Sequence, residues 1–549
     1  MKDKTLKVTN VRLLRGGKLT NTFLWVENGK VADPQARYWR SQSAAEYGPG
    51  EVVDGRGLIL APGFVDIQLN GAYGHDFSDV RCTENDVLEV RRRLVATGVT
   101  SFCPTVISST PATYARVLPK FKRTTDGHIV QGANMVGLHL EGPFINRQRK
   151  GAHKEEVLLD PVNGMPSLEA VYGPLSHDNV ALVTLAPELK GAPLAISQLV
   201  ERGIVACAGH SSANIQEAVT GVVAGISMLT HLFNAMVPFH HRDPGLVGLL
   251  GATECPRPSY GLILDGIHAH ATSCRIAQAS HPDGLVLVTD CMAGMGLPDG
   301  SYVLADLPVD VQGGRAYLHN TQTIAGSVVQ MDTCLRTLRQ YTGCSAEYAL
   351  QAASTNPARA LGLTTKGSLE FGADADFVLL TEDLHVVQTY IAGALVFDRL
   401  GELHLNPHQR EPETTLPWRL TVFDLDDARA LDKAASAGNL ALVKQLHAHT
   451  NMRCTKDAMD DAASNGHLDV VRFLHHHRTE GCTTRAMDYA AAHGHLDVLQ
   501  FLHEYRVEGC TAYALTTAEA KGHLAIVRYL QEHQHSVCVS EVRQTGDRI

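Results

Sequence analysis

The chain has 549 residues, of which 44% are hydrophobic and 19% charged, with a net charge of −10 at neutral pH. Because this length exceeds one compact core, two or three domains are expected. The acidic balance argues against a nucleic-acid or membrane-surface binder, and no apolar run approaches the roughly 18 residues of a membrane-spanning helix. Twelve scattered cysteines and an N-terminus without an apolar signal segment favour a cytoplasmic protein with reduced thiols.

Both flanks of the first 407 residues carry the same pattern. Residues 1–62 and residues 363–407 alternate apolar and polar side chains over short stretches, which is typical of β-strands. The two flanks are predicted to meet in one small β-sandwich, because a closed domain between them would bring the ends of the chain together.

Residues 63–362 alternate buried-strand patterns with helical patterns. Eight such alternations over some 300 residues are typical of an α/β fold, a (β/α)8 TIM-type barrel. The candidate strands are Phe64–Asn70, Gly98–Val106, Met135–Pro143, Ala181–Pro187, Gly203–His210, Ile226–Asn234, Ser259–His268 and Gly284–Asp290.

The C-terminal region repeats itself every 28 residues. After a Pro-rich linker over 408–427, four such units fill residues 428–533, and residues 534–549 form a tail. The turn glycines Gly438, Gly466, Gly494 and Gly522 share this period with the cysteines Cys454, Cys482, Cys510 and Cys538. Each unit predicts two helices joined at the glycine, and stacked pairs bury a continuous core. The equal spacing favours buried structural niches for the cysteines over a metal array.

These units resemble ankyrin repeats in their A-A-x-x-G-H-L core, but they are shorter and lack the T-P-L-H turn. The resemblance implies an all-α array that offers a surface to a protein partner. His467, His495 and His523, each just after a turn glycine, are interpreted as structural residues.

Ligand-type side chains lie at the carboxyl ends of several predicted barrel strands, where function is expected in this fold. Glu141, His210 and His231 make a set of one carboxylate and two imidazoles, which is typical of a catalytic zinc or iron site with an open position for water. Asp290 ends the eighth strand, where it can move a proton between that water and a leaving group.

Six segments resemble the N-acetylglucosamine-6-phosphate deacetylase family of amidohydrolases in order and spacing. They are GLHLEGPFINRQRKGAH, GHSSA, THLFNAMVPFHHRDPG, DGIH, VTD and IAGS. The resemblance covers about residues 5 to 400 and leaves the repeats outside. It implies a hydrolase that cleaves a linear amide, with Glu141, His210 and His231 as metal ligands and Asp290 as the general acid and base.

The resemblance also implies a set of substrate contacts. The family's sugar-binding pair falls on Ala152 and His153, its phosphate-end pair on Asn234 and Ala235, and its phosphate arginine, which reaches across a dimer interface, on Arg242. Further contacts fall on Asp265 and His268, and on Ile324, Ala325 and Gly326, which line the acetyl side. This set implies a homodimer that forms through the barrel.

The first strand differs from the His-x-His sequence that holds a second metal in related barrels. It carries Gln68 and Asn70, whose neutral amides are poor ligands for zinc but can bind water or sugar hydroxyls. One divalent metal ion per chain, zinc, is therefore predicted. Cys291 stands beside Asp290 where the family has alanine, and is interpreted as a swap between small residues.

The resemblance thus implies hydrolysis of N-acetyl-D-glucosamine 6-phosphate to D-glucosamine 6-phosphate and acetate. Two alternatives remain open at this stage. One is another amidohydrolase, acting on a related acetylated sugar phosphate or a cyclic amide. The other is a scaffold protein in which the repeats tether the barrel to a partner.

Overall fold

The computed structural model describes residues 5–40, 48–124, 132–399, 430–436, 438, 440–448 and 454–533. The chain divides into two compact units, Met1–Arg399 and Leu400–Ile549, and each is described by itself. The linker predicted over 408–427, the tail over 534–549 and Cys538 lie outside the described residues. None of the described helices is long and apolar enough to cross a bilayer.

The N-terminal flank is organised around one long strand. Its elements are β1 (Thr5–Arg15), β2 (Lys18–Glu27), β3 (Lys30–Val31), helix α1 (Pro34–Arg40), β4 (Glu51–Asp54) and β5 (Ile59–Pro62). On one side β1 pairs with β2 in antiparallel fashion. Its other side is shared, because Leu6–Thr9 pairs with β4 and Arg12–Leu13 with β5, both parallel.

Eight parallel strands then form the barrel, as predicted. After β6 (Phe64–Leu69) come a short hairpin, β7 (Gly71–Ala72) and β8 (His75–Asp76), and the strands β9 (Val99–Ile107), β10 (Asn134–Met135), β11 (Leu138–Glu141), β12 (Val180–Leu185), β13 (Val205–Ala208), β14 (Ile226–Leu229), β15 (Ser259–Ile263) and β16 (Leu285–Val288). The short β10 and the following β11 both pair with β9, so these nine strands fill the eight strand positions of the barrel. The last strand returns to the first, since the Asp290 N–H donates to the Gln68 carbonyl over 2.9 Å.

Apolar side chains fill the barrel, so it is a packed core and not a channel. Val65, Ile67, Cys207, Met228 and Val286 belong to one buried cluster contributed by strands around the barrel.

The helices cover the outside of the barrel. They are α2 (Glu84–Leu94), α3 (Pro111–Val117), α4 (Met165–Tyr172), α5 (Ala192–Glu201), α6 (Ile215–Ala224), α7 (Ala271–Ser280), α8 (Met331–Thr342), α9 (Ala346–Ala353) and α10 (Thr355–Ala360). Capping boxes fix the starts of α2, at Thr83 and Asp86, and of α6, at Asn214 and Glu217.

An antiparallel sheet that the sequence reading did not predict follows the eighth strand. It consists of β17 (Gly300–Leu304), β18 (Leu307–Gln312) and β19 (Arg315–Leu318). Ala305 and Asp306 both have positive φ angles, 48° and 64°, which fits a two-residue hairpin turn between β17 and β18.

The C-terminal flank completes the N-terminal sheet. Its strands are β20 (Phe377–Leu380), β21 (Val386–Ile391) and β22 (Ala394–Asp398), and β20 pairs with β5 in antiparallel fashion. The resulting eight-stranded sheet has the order β22-β21-β20-β5-β1-β2-β3, with β4 on β1. Leu13, Leu24, Leu60 and Phe377 lie in its shared core.

The second unit is a helical repeat array. Its helices are α11 (Ala430–Ser436), α12 (Leu440–Ala448), α13 (Lys456–Ser464), α14 (Leu468–His477), α15 (Thr484–His493), α16 (Leu496–Tyr505), α17 (Ala512–Ala520) and α18 (Leu524–Glu532). His467 packs over Gly438 of the preceding repeat, where a Cβ would lie 2.6 Å from the imidazole. Gly438 also has a φ of 70°, so this turn requires glycine. His495 and His523 repeat the contact on Gly466 and Gly494.

Candidate active site

Three ligand-type side chains converge at the carboxyl ends of three strands. Glu141 is the last residue of β11, and His210 and His231 each follow a strand by two residues. Glu141 Oε1 lies 3.2 Å from His210 Nε2 and 3.1 Å from His231 Nε2, and the two Nε2 atoms are 3.0 Å apart. His210 and His231 have positive φ angles of 48° and 27°, a strained conformation typical of functional sites.

The hydrogen bonds of this cluster fit a cation site. His210 Nδ1 lies 2.8 Å from the Arg149 carbonyl oxygen, which can only accept, so Nδ1 carries the proton and Nε2 presents its lone pair. That lone pair faces Glu141 and His231 in a site where all three side chains are at most 5% exposed. One carboxylate and two imidazoles suit a zinc-type ion, and this triad is the one such group found among the described residues.

Asp290 lies beside the triad and is held by the two amides of the first strand. Asn70 Nδ2 donates to Asp290 Oδ1 over 2.7 Å. Gln68 Nε2 donates to the same oxygen over 3.2 Å and to both Glu141 oxygens over 3.1 Å. Burial, and secondarily the Glu141 charge, raise the pKa of Asp290 to about 6. Asn70 Oδ1 is buried and has no hydrogen-bond partner among the described residues, so it can accept from a bound water or hydroxyl.

His153 is a neutral donor that faces the same pocket. Its Nδ1 accepts from the Ser108 backbone N–H over 3.4 Å and lies 2.6 Å from Ser108 Oγ. With Nδ1 as acceptor, Nε2 carries the proton. Burial lowers the pKa of His153 to about 3, and the nearby His210 adds to the effect. His153 therefore presents an N–H, without a charge, to a ligand oxygen.

A second imidazole, that of His268, also lines the pocket and is held in place. Asp265 Oδ2 lies 2.7 Å from His268 Nδ1, and Asp265 Oδ1 accepts from the backbone N–H groups of Ile267 and His268. Although burial opposes it, the hydrogen bond and charge of His268 lower the pKa of Asp265. Asp265 thus fixes the His268 ring.

Most of the residues predicted for the site share one pocket of about 170 Å³. Those that line it are Asn70, Glu141, Ala152, His153, His210, His231, Asn234, Ala235, His268, Asp290, Ile324 and Gly326. Gln68 and Asp265 are not among the lining residues, but they form hydrogen bonds with Glu141 and His268, which are. Ala325 is buried below it.

Arg242 is not among the residues that line this pocket. It lies in an exposed loop, where its backbone N–H donates to His240.

Cys291 is fully buried, and its Sγ donates to the Gly71 carbonyl. Burial raises the pKa of this thiol, so it is poorly suited to bind a metal.

Three lining residues were missed in the sequence: Ile107, Gly151 and Leu304. Ile107 ends the second barrel strand, a position that could have been read in the same way as Glu141. Leu304 comes from the β17–β18 hairpin, whose signal was the alternation in SYVLADLPVDVQGG.

Comparisons with known proteins agree with this fold. The model of the "Amidohydrolase family" matches residues 59–396, and that of "Ankyrin repeats (many copies)" matches residues 459–503 and 487–531. The N-acetylglucosamine-6-phosphate deacetylases of Rattus norvegicus and Homo sapiens are each 48% identical to the chain, over 400 and 402 residues. The matches cover 71% and 72% of the chain and 95% and 96% of those proteins.

Solved structures give the same result. The structure of a mutant of the deacetylase from Mycobacterium smegmatis, in complex with N-acetyl-D-glucosamine-6-phosphate, is 32% identical with a TM-score of 0.61. It matches over 72% of this chain and all of that one. The deacetylase from Thermotoga maritima is 30% identical with a TM-score of 0.60, and the match covers 71% and 99% of the two chains. The chain belongs to the amidohydrolase family, in its group of N-acetylglucosamine-6-phosphate deacetylases, and carries ankyrin repeats at its C-terminal end.

Proposed function

We propose that the protein hydrolyses N-acetyl-D-glucosamine 6-phosphate to D-glucosamine 6-phosphate and acetate. The observation that carries the proposal is the convergence of Glu141, His210 and His231 with Asp290 in one buried pocket. The names of the relatives support the substrate, as does the sugar phosphate bound in the mycobacterial structure.

The triad would hold one divalent cation, which we propose is zinc, because two imidazoles and a carboxylate are its usual catalytic ligands. Such a cation acts as a Lewis acid that lowers the pKa of water and polarises a carbonyl. Gln68 and Asn70 add hydrogen-bond donors at the first strand and no further ligand, which supports a single ion.

Asp290 is proposed to carry the proton. It takes one from water as the new C–O bond forms at the acetyl carbonyl carbon. It then gives that proton to the amide nitrogen as the C–N bond breaks, because an amine anion is too poor a leaving group. Both hydrogen bonds from Asn70 and Gln68 end on Oδ1, so Oδ2 serves as the proton-carrying atom.

His153 is proposed to orient the acetyl group. Its Nε2–H is aimed by Ser108, and it donates to the carbonyl oxygen, on which negative charge develops during attack. Ala152 contacts the sugar, and the Ile324–Gly326 backbone lines the acetyl side.

The phosphate end is proposed to lie near His268 and the backbone N–H of Ala235. Arg242 lies outside the pocket of its own chain, which supports a homodimer in which each copy supplies this guanidinium to the other. Arginine binds phosphate through charge-assisted, two-pronged hydrogen bonds.

For the repeats we propose a role in binding a protein partner, since stacked repeats offer extended binding surfaces.

We also propose a cytoplasmic location. The described cysteines are free, in keeping with a reducing compartment.

Acetate release by the purified chain tests the proposed function. The zinc-loaded protein should release acetate from N-acetylglucosamine 6-phosphate, much less from unphosphorylated N-acetylglucosamine, and none after chelation until zinc is restored. A zinc-loaded, folded chain without acetate release would reject the proposal.

A further inference from the structure

The pocket has an apolar wall that is built from two distant parts of the chain. Ile107 ends β9, and Leu304 ends β17 at the tip of the hairpin. Both line the pocket, both are only 4% exposed, and both belong to one buried apolar cluster with Met292 and Ala325. Polar groups elsewhere in the pocket serve the reaction, whereas this wall has no hydrogen-bonding side chain.

A short hydrogen-bond network fixes both halves of this wall. Asp76 accepts from the backbone N–H of Ala305, next to Leu304, and from the N–H of Ser78. Ser78 Oγ in turn accepts from the Ile107 N–H over 3.1 Å. Asp76 is 5% exposed and Ser78 3%, so the network is shielded from water. The wall is thus rigidly placed and not a loose surface loop.

The position of the wall relative to the reacting atoms follows from His153. Ser108, which holds His153 Nδ1, is the residue directly after Ile107. Lys154, directly after His153, forms an ion pair of 3.7 Å with Asp306 in the hairpin turn. The wall and this imidazole therefore line one connected part of the pocket, so an acyl chain beyond the amide carbonyl of the proposed reaction can extend toward the wall.

We propose that Ile107 and Leu304 limit the acyl group that the enzyme removes, and that Leu304 sets the permitted chain length at the two carbons of acetyl. This inference rests on the proposed deacetylation. Ile107 and Leu304 are both buried in one apolar cluster at the pocket, and an extra methylene in a close-fitting apolar pocket costs about 10- to 200-fold in specificity. Asp76 is a positioning residue, because it acts through the hairpin.

The test compares N-acetyl-, N-propionyl- and N-butyryl-glucosamine 6-phosphate as substrates of the zinc-loaded full chain. Wild-type kcat/KM should fall at least about ten-fold for each added methylene. Leu304→Ala should reduce the acetyl-over-butyryl ratio at least about ten-fold, mainly by raising kcat/KM for the butyryl compound.

Val309→Ala is the matched control. Val309 is buried in the same apolar cluster of the hairpin but does not line the pocket, so its loss should leave the acetyl-over-butyryl ratio at the wild-type value. Leu304→Val removes a single methylene and serves if Leu304→Ala does not fold. Its acetyl-over-butyryl ratio should lie below that of wild type and above the ratio expected for Leu304→Ala.

The outcomes separate the two proposals. If the wild type hydrolyses the acetyl compound but the folded Leu304 variants keep its acetyl-over-butyryl ratio, the assignment of Leu304 is overturned. The deacetylase proposal would stand. An equal change in Val309→Ala overturns it too, since the effect would then come from loosening of the hairpin. A folded, zinc-loaded wild type that cleaves none of the three compounds rejects the deacetylase proposal, and this inference with it.

Discussion

The side-chain amide of Gln68 lies 3.1 Å from each carboxylate oxygen of Glu141. The same amide reaches Asp290 at 3.2 Å, so one neutral donor bridges the carboxylate of the triad and the carboxylate proposed to move the proton. A donor in this position stabilises both negative charges without adding a metal ligand. We therefore propose that the first strand orients the site and does not extend it to a second ion.

Metal content should follow from this arrangement. Elemental analysis of the full chain is expected to give about one zinc-type ion per chain, because Glu141, His210 and His231 are the one such ligand set within the part of the chain that the structure describes. Cys291→Ala is the control and should keep that stoichiometry, since the thiol is buried with a raised pKa. Two tightly held ions per wild-type chain would show that the first strand contributes to a second site.

Arg242→Ala should weaken recognition of the phosphate. We expect a higher KM for the phosphorylated sugar and a smaller preference over free N-acetylglucosamine, because a charge-assisted contact of about 1.5–3 kcal/mol is lost. Steady-state kinetics on both sugars measure it. Arg81→Ala removes another exposed arginine, one that pairs with Asp79, and should change neither value. If Arg242→Ala keeps the wild-type preference for the phosphorylated sugar, Arg242 does not bind the phosphate and is a solvated loop residue.

Truncation tests whether the first unit is sufficient for activity. A chain that ends near residue 407 should fold, bind metal and release acetate, since β20–β22 complete the flanking sheet before that point. A chain that ends near residue 370 should not fold, because β5 loses its partner β20. Circular dichroism and acetate release distinguish the two. A folded but inactive 407-residue chain would mean that the repeats take part in catalysis.

Within the array, Asp488→Ala should loosen the junction between two repeats. Asp488 accepts from the Thr511 N–H over 2.7 Å and from Thr511 Oγ1 over 2.9 Å, and is 6% exposed. Leaving these donors unpaired should lower the opening free energy of α17 by about 1–3 kcal/mol. Amide hydrogen exchange measures it. Asp457→Ala, which removes an exposed partner of Arg485, should cost less than about 1 kcal/mol, and an equal effect of both substitutions would contradict the prediction.

Periodicity was enough to predict the barrel and the repeats. Strands such as Leu285–Val288 are continuous apolar runs because both faces are buried, and the 28-residue spacing of the turn glycines revealed the array directly. Glu141, His210 and His231 could be grouped because the carboxyl ends of barrel strands meet at one rim.

What the sequence reading missed depends on contacts between distant segments. Leu304 lies at the pocket in a hairpin that is held by Asp76, more than 200 residues earlier, which accepts the Ala305 N–H. The role of Gln68 as a bridge between Glu141 and Asp290 likewise depends on the relative placement of three strands. Neither relationship has a local sequence signal, whereas each strand and helix has one.

Asp290→Asn tests the central claim most directly. The substitution keeps the shape of the side chain but removes the group that accepts and returns the proton. kcat should fall on the order of 10²–10⁴-fold, while zinc content and the Kd for N-acetylglucosamine 6-phosphate stay close to wild type, because the triad and the phosphate contacts are intact. All three quantities should be measured on one preparation. Near-normal kcat with zinc retained would contradict the account and assign the proton to another residue.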